Sequence, residues 1–184
     1  LSGMPSNPEV GDHSVVLRVN DGTVDVDHNF TITVSNSNDT PTITSTAITS
    51  ATEDSAYSYT LTVSDVDVGD SLTLSAPTLP TWLSFNPTTG VLSGTPGNAE
   101  VGDHNLVLRV NDGTVDVDQN FTLTVSNSND APTITSTAIT SATEDSAYRC
   151  TFTVSDVDVG DSLTLSAPSV RAWLSFDAGI GVLS

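Results

Sequence analysis

Aspartates recur at close spacing in one short segment of the chain, Asp65-Val66-Asp67-Val68-Gly69-Asp70. Alternate spacing in an extended backbone turns Asp65 and Asp67 to the same side, and Gly69 permits a tight turn. Carboxylates gathered this closely repel one another unless a cation neutralises them. Ca²⁺ takes about six to eight oxygen ligands and tolerates irregular sets better than Mg²⁺. The segment therefore indicates a calcium-binding loop, and solvated turn aspartates are the alternative.

Other acids are expected to join this loop, or a second one like it, at the two ends of the domain. Asp112 and the linker residues Asn38 and Asp39 fall at the end that carries the loop, while Glu53 falls at the opposite end, near Asn127, with Glu100 or Asp103 as further candidates. The loop of the next unit, with its own Asp161, approaches that opposite end. The predicted Ca²⁺ ligands are Asn38, Asp39, Glu53, Asp65, Asp67, Asp70, Asp112, Asn129, Asp130, Asp156 and Asp158.

The chain repeats itself with a period of 91 residues. Of the 93 positions that overlap at this shift, 19 differ and 74 are identical. A period near 90 suits an array of small autonomous domains better than a solenoid. The polar runs before Pro41 and Pro132 are natural boundaries, so residues 40–130 are expected to be one complete repeat. Residues 1–39 are expected to be the C-terminal part of a preceding repeat and residues 131–184 the N-terminal part of a following one, both incomplete and cut from a longer protein.

Hydrophobic alternation predicts strands and turns throughout the complete repeat. Tyr57, Tyr59 and Leu61 share one face of a predicted strand. Residues 114–125 alternate in the same way, with their apolar side chains on one face. The seven predicted strands are 42–45, 57–64, 72–75, 82–85, 91–94, 106–110 and 114–125. About seven short strands in about 90 residues indicate an all-β, immunoglobulin-like Greek-key sandwich, here repeated in tandem. Asp116 and Asp118 are expected to face outward on the last strand, opposite Arg109.

Composition excludes several partners. Four arginines and no lysine stand against 23 acids, giving a net charge of -19 and a pI near 4.1. Such a surface repels nucleic acid and anionic lipid. No apolar run approaches the roughly 20 residues of a membrane helix, so direct membrane insertion of this chain is not expected. The single cysteine, Cys150, excludes an intramolecular disulfide.

A series of motifs along the repeat resembles a known family. The motifs, in the order quoted, are Asn-Asp-Ala-Pro at 129–132, Asp-x-Asp-x-Gly-Asp-x-Leu at 65–72, Leu-Pro-x-Trp-Leu-Ser-Phe at 79–85, Thr-Gly-x-Leu-Ser-Gly-Thr-Pro at 89–96, Val-Gly-Asp-His at 101–104 and Val-Asn-Asp-Gly-Thr at 110–114. Together they resemble the dystroglycan-type cadherin-like domain, one of the cadherin-like and immunoglobulin-like repeats found in tandem in large bacterial surface and secreted proteins. The resemblance spans the whole 91-residue period.

The resemblance implies a cadherin-like sandwich with calcium at the domain junctions and a role in adhesion or polysaccharide association. By position, Asp65 and Asp67 are similar to the paired aspartates of the cadherin Asp-x-Asp loop, and Glu53 to the early glutamate. The cadherin Leu-Asp-Arg-Glu motif is replaced by Ser-Gly-Thr-Pro, and the linker is one residue shorter. Fewer ions than a three-calcium junction, or weaker binding, are therefore expected.

Two functional hypotheses follow. The first is a non-enzymatic, calcium-stiffened repeat of an extracellular or cell-surface adhesin, whose partners are the neighbouring repeats. The second is a module that recognises polysaccharide or homologous domains, using Trp82 or the loops at the ends of the sandwich. Trp82 and Trp173 could stack on a sugar ring, although packing at the core edge is the simpler interpretation. No histidine has a partner at catalytic or metal-ligand spacing, so no catalytic residue is predicted.

Overall fold

The structure, a computed structural model, describes residues 2–184, and its regular structure is almost entirely β. The helical elements among these residues are two single 3-10 turns, Asn7–Glu9 and Asn98–Glu100. Within residues 2–184, no helix is long and apolar enough to span a membrane. The predicted all-β class with a cadherin/immunoglobulin-like sandwich is confirmed.

Residues 40–130 form two facing sheets and a small two-stranded pair. One sheet has the order β4-β11-β10-β7 and the other β5-β9-β8, while β3 pairs with β6. The strands are β3 (Thr42–Ile43), β4 (Ser50–Thr52), β5 (Tyr57–Thr60), β6 (Val63–Ser64), β7 (Thr73–Thr78), β8 (Leu83–Asn86), β9 (Val91–Gly94), β10 (Gly102–Asn111) and β11 (Asp116–Ser126).

The core lies between these two sheets. Apolar side chains at alternate strand positions turn inward because successive residues of a strand point to opposite faces. The buried cluster joins the two sheets and consists of Tyr57, Tyr59, Leu61, Leu83 and Leu92 on one side and Leu106, Leu108 and Leu123 on the other. Trp82 is half-buried at the edge of this cluster, edge-on to Tyr57 and to His104.

The predicted strand 57–64 is two strands, because its backbone changes partners. Tyr57–Thr60 pairs with β9, whereas Val63–Ser64 pairs with β3. Between them, Leu61 N donates to Gly90 O at 2.8 Å, and the carbonyl of Thr62 accepts from Thr44 N at 2.8 Å. The segment thus passes from one pairing to the other at residues 61–62, which an unbroken alternation pattern does not reveal.

Strand β4 was not predicted from the sequence. Ser50-Ala51-Thr52 carries no apolar alternation, and it forms a strand only because it pairs in parallel with the end of β11, Thr124–Ser126. The next residue continues this pairing, since Glu53 N donates to Ser126 O at 3.0 Å. A parallel pairing therefore holds Glu53 at the end of the sandwich where residues 127–130 leave it.

The flanking residues repeat parts of this architecture. Residues 1–39 contain β1 (Gly11–Asn20) and β2 (Asp25–Val34), a hairpin whose ten residue pairs have the same register as β10 and β11. Residues 131–184 contain a pair β12-β14 and a sheet β13-β16-β15, in the orders of β3-β6 and β5-β9-β8. Their strands are β12 (Thr133–Ile134), β13 (Cys150–Thr151), β14 (Val154–Ser155), β15 (Phe176–Asp177) and β16 (Val182–Leu183).

Arg109 lies across the outer face of the β10-β11 hairpin, as expected. Its Nε atom is 2.6 Å from Asp118 Oδ1, and its Nη1 atom is 2.6 Å from Asp116 Oδ2. These contacts raise the pKa of Arg109 and lower that of Asp118 through their hydrogen bond. Both aspartates are thus ion-paired with an arginine, in contrast to the acids described next.

Candidate cation sites at two seams

The first seam is the junction where the linker residues Asn38 and Asp39 meet the loop 65–70 and the turn at Asp112. The backbone N–H of Asp39 donates to Asp67 Oδ2 at 2.6 Å, and Asn38 Nδ2 donates to Asp112 Oδ2 at 3.0 Å. The loop 65–70 follows β6 and the turn follows β10, so both lie at the same end of the sandwich. The linker, the loop and the turn therefore converge, as the topology predicts.

Three carboxylates of this seam approach one another closely. Asp65, Asp70 and Asp112 each have an oxygen within 4.8 Å of the others. Ca²⁺ binds oxygen at about 2.4 Å, so oxygens at this separation can reach a single ion. In addition, Asp65 Oδ2 and Asp67 Oδ1 are buried and have no hydrogen-bond partner among residues 2–184. A buried carboxylate oxygen without a partner is costly, and a cation would supply the missing interaction.

The carboxylates of the first seam differ in their electrostatic surroundings. Burial, followed by the charges of Asp67, Asp65 and Asp112, raises the pKa of Asp70 above its ordinary value. The pKa of Asp112 is lowered, chiefly by the hydrogen bond from Asn38 and then by the backbone N–H of Val115. Hydrogen-bond donors thus favour the ionised form of Asp112. The ionised form of Asp70 is instead disfavoured by desolvation and by the neighbouring negative charges.

The second seam is the junction where residues 127–130 meet Glu53, Asp54, Asn98 and the loop 156–161. Asp130 N donates to Asp158 Oδ2 at 2.7 Å, which repeats the contact of Asp39 with Asp67. Glu53 is 1% exposed, and its Oε2 accepts from Ser128 N at 3.2 Å while its Oε1 has no partner. An almost fully buried glutamate is thus left half-satisfied at a junction between two units.

Asn127 connects the acids of the two units. One terminal atom of its amide lies 3.0 Å from Glu53 Oε2 and 3.2 Å from Asp158 Oδ1. As a nitrogen, this atom donates to both carboxylates. As an oxygen, it forms with them a set of three oxygens of the kind that a shared cation binds. In the donor orientation, the amide of Asn127 thus links Glu53 of one unit to Asp158 of the next.

Two residues of the second seam were missed at the sequence level. Asp54 groups with Glu53 and Asp130 within 4.8 Å, and it has a positive φ of 57°. Aspartate tolerates the left-handed region better than most residues, and its place directly after Glu53 was an available signal. Asn98 donates from Nδ2 to Asp130 Oδ2 at 2.9 Å, and no sequence pattern distinguished it.

Other predicted residues make local contacts. The amide of Asn129 donates to the carbonyl of Asp130 at 2.7 Å. The carboxylate of Asp39 accepts from Asn7, the same contact that Asp130 makes with Asn98 one period later. Asp103 accepts from Thr124 Oγ1, and Glu100 accepts from Gly97 N. The expectation that Glu100 or Asp103 would join the second seam is therefore wrong, because local turn and cross-strand hydrogen bonds hold both side chains.

Comparison with known proteins agrees with the fold. The sequence profile of the family described as "Putative Ig domain" matches residues 40–126. No curated protein matches the chain. Among solved structures, the extracellular cadherin domains 1–5 of protocadherin gamma B2 match with 18% identity and a TM-score of 0.54, over 97% of this chain and 38% of that one. The protocadherin gamma B4 extracellular domain matches with 16% identity and a TM-score of 0.51, over 98% and 35%.

A weaker likeness is found to enzymes. An endo-fucoidan hydrolase from glycoside hydrolase family 107 shares 29% identity, with a TM-score of 0.44, over 68% of this chain and 20% of that one. The chain thus spans only about a fifth of the hydrolase and well under half of these protocadherin structures. The profile match and the protocadherin folds agree on one architecture. Residues 40–126 match the model of the Putative Ig domain family, and the chain has a cadherin/immunoglobulin-like fold.

Proposed function

We propose that this chain is a calcium-binding, calcium-rigidified repeat segment of an extracellular or cell-surface adhesin, and that it is not itself an enzyme. In this proposal residues 40–130 are the complete repeat, and residues 1–39 and 131–184 are parts of its neighbours. The observation that carries it is the buried, half-satisfied Glu53 beside Asp158 of the next unit. The cadherin-like fold and the cluster Asp65, Asp70 and Asp112 support it.

Calcium would act on the linkers rather than on a substrate. At each seam, the backbone N–H of a linker aspartate already donates to the acidic loop of the following unit. A cation bound by carboxylates from both sides would fix the angle between them, because bending the joint would break its coordination. Binding to the ordered joint alone also stabilises it by mass action. The result would be a stiff stalk made from a flexible linker.

Two Asp-to-Asn changes in the loop test this proposal. Asp65→Asn with Asp67→Asn should abolish the calorimetric heat of Ca²⁺ binding at the first seam and reduce the Ca²⁺-dependent rise in melting temperature. Small-angle scattering should show that the variant extends less than the wild type when Ca²⁺ replaces chelator, because only the second seam still binds the ion. The wild-type chain provides the reference for all three measurements.

A matched control has the same change in net charge. Asp116→Asn with Asp118→Asn removes two carboxylates that are ion-paired with Arg109 on the outer face of the hairpin, so its response to Ca²⁺ should equal that of the wild type. The proposal fails if wild-type protein gives neither a binding heat nor a melting shift with Ca²⁺, or if both double variants respond alike.

The polysaccharide alternative receives no support from the structure. One face of Trp82 is used in packing, since a Cβ added at Gly94 would lie 3.0 Å from its ring. Its indole N–H is buried as well. A recognition role for homologous domains, the other part of that alternative, remains compatible with a repeat array.

A further inference from the structure

The 3-10 turn Asn98–Glu100, which lies between β9 and β10, reaches the second seam from the side of the complete repeat. The end of the turn is fixed, since His104 Nε2 donates to Glu100 O at 2.6 Å. The first residue of the turn, Asn98, donates from Nδ2 to Asp130 Oδ2 at 2.9 Å. The turn therefore holds the linker aspartate against the body of the repeat.

The amide of Asn98 has one atom without a partner. Its Nδ2 contacts Asp130, whereas its Oδ1 is buried and receives no hydrogen bond from residues 2–184. An ionised carboxylate only accepts hydrogen bonds, so the contact with Asp130 determines which of the two amide atoms is the nitrogen. A buried amide oxygen without a donor is costly. Amide oxygens are ordinary Ca²⁺ ligands, so a cation at this position would supply the missing interaction.

A buried carboxylate oxygen of the same seam also lacks a partner. Glu53 is 1% exposed and its Oε1 has no hydrogen bond, while Glu53, Asp54 and Asp130 have oxygens within 4.8 Å of one another. The turn that carries Glu53 and Asp54 is joined to the segment before Asn98, since Asp54 N donates to Pro96 O at 2.9 Å. Two buried oxygens without partners, from two adjoining turns, thus belong to residues that surround one linker aspartate.

The equivalent turn at the first seam shows that the following unit does not supply the missing donor. There Asn7 Nδ2 donates to Asp39 Oδ2 at 2.7 Å, and His13 Nε2 donates to Glu9 O at 2.6 Å. Residues 40–130 follow this linker with both of their sheets, yet the described hydrogen bonds include none from them to the amide oxygen of Asn7. The lack of a donor is thus a property of the turn and its linker.

We propose that Asn98 is a Ca²⁺ ligand at the second seam, through its amide oxygen. The same ion is bound by the group Glu53, Asp54 and Asp130. Three carboxylates and one amide are an oxygen set suited to Ca²⁺, and bidentate carboxylates or water complete its usual six to eight ligands. This inference rests on the proposed function and extends it, because all four residues belong to the complete repeat and its C-terminal linker.

This ion acts on the linker independently of the next unit. It fixes Asp130, whose backbone N–H donates to Asp158 Oδ2 at 2.7 Å. The cluster of Asp65, Asp70 and Asp112, by contrast, comes from the unit that follows a linker. A seam therefore has two kinds of cation site. One is formed by the preceding repeat with its linker, and the other by the loop and turn of the following unit.

Titration calorimetry with Ca²⁺, on a background that lacks the first site, tests this assignment. The double variant Asp65→Asn with Asp67→Asn should retain the binding heat of the second seam. On that background, Asn98→Ala should weaken the remaining binding by at least about tenfold. Asn105→Ala is the matched control, since it removes an amide from the exposed outer face of β10, and it should leave the binding unchanged. Cooperative melting in chelator shows that each variant is folded.

Asn98→Asp distinguishes a ligand from a residue that only positions Asp130. The substitution keeps an oxygen but removes the donor to Asp130. A ligand role predicts Ca²⁺ binding at least as tight as in the background variant. It also predicts a lower melting temperature in chelator, because two carboxylates then face each other without a cation. A positioning role alone predicts the same loss of binding as Asn98→Ala, and that result would overturn the proposal.

Two further results would also overturn it: a background variant that gives no Ca²⁺ binding heat, or one whose binding Asn98→Ala leaves unchanged. In both cases binding at the first seam of the wild-type chain still reports on the proposed function. A wild-type chain without any binding heat would instead contradict the proposed function, and this inference with it.

Discussion

Asp70 and Asp112 belong to one cluster but respond to it in opposite ways. Asp70 is exposed at the end of its loop and receives no donor among the described hydrogen bonds, so partial desolvation and the charges of three neighbouring carboxylates raise its pKa. Asp112 is buried and accepts from Asn38, Thr114 and Val115, which lower its pKa. Ionised Asp70 therefore destabilises the cation-free fold, whereas ionised Asp112 stabilises it.

Asp70→Asn should raise the melting temperature in chelator at pH 7 and reduce the stabilisation by Ca²⁺. A raised folded-state pKa means that the destabilisation is full above that pKa and is lost as the pH falls toward the ordinary value of 3.8. The difference between the variant and the wild type should shrink accordingly. Thermal melts from pH 7 to pH 3, with and without Ca²⁺, measure it. A variant less stable than wild type in chelator at pH 7 would contradict this account.

Individual residues of the two seams show why only part of the candidate site could be predicted from the sequence. Asp65 and Asp67 are recognisable because their alternation is local. Asn98 contributes only because a 3-10 turn brings it to Asp130, 32 residues away. Asp54 contributes through a left-handed backbone that the turn imposes. Such contributions depend on tertiary placement, which spacing along the chain does not encode.

Among the elements, the turn before β9 contains a close approach between two backbone segments. Gly90 has a φ of +70°, and a Cβ there would lie 2.4 Å from the carbonyl oxygen of Leu61. Leu61 lies where the chain stops pairing with β9 and begins to pair with β3. The backbone N–H of Leu61 also donates to the carbonyl oxygen of Gly90. The turn at Gly90 and the backbone at Leu61 are therefore held together by direct contact.

Gly90→Ala should lower the free energy of unfolding of residues 40–130 by more than about 2 kcal/mol, because backbone strain and a steric clash with the backbone act together. Gly113→Ala is the control, since Gly113 also has a positive φ but nothing lies within 4 Å of its added Cβ. It should cost only about 1–2 kcal/mol. Urea unfolding in chelator compares the two. Equal losses would show that the close approach to Leu61 is unimportant.

The elements also show the extent of sequence-based prediction. Strands with buried alternation, such as β10 and β11, were found within a few residues of their bounds. The change of partner at residues 61–62 and the strand β4 were not, because both are set by hydrogen bonds to distant segments. β4 also positions Glu53, so the same tertiary pairing that hid the strand placed an acid of the second seam.

In the molecule as a whole, nearly identical sequences occupy different environments. Glu53 is buried, whereas Glu144, its equivalent, is exposed. Asp67 and Asp158 are both buried, and each accepts a hydrogen bond from the backbone N–H of a linker aspartate. Burial of a residue in this chain thus depends on its tertiary contacts and cannot be inferred from its local sequence alone. The same conclusion applies to apolar side chains.

Leu17 and Leu108 allow a direct test of this point, since they are equivalent positions in identical local sequences. Leu108→Ala empties a fully buried site and should destabilise residues 40–130 by about 2–5 kcal/mol. Leu17→Ala, at a site 44% exposed, should leave their unfolding unchanged at concentrations where the chain is monomeric. Chemical unfolding followed by Trp82 fluorescence, with Trp173→Phe as background, measures both. Equal effects would mean that residues 1–39 are part of the same cooperative unit, and would contradict the division into one complete repeat and two partial ones.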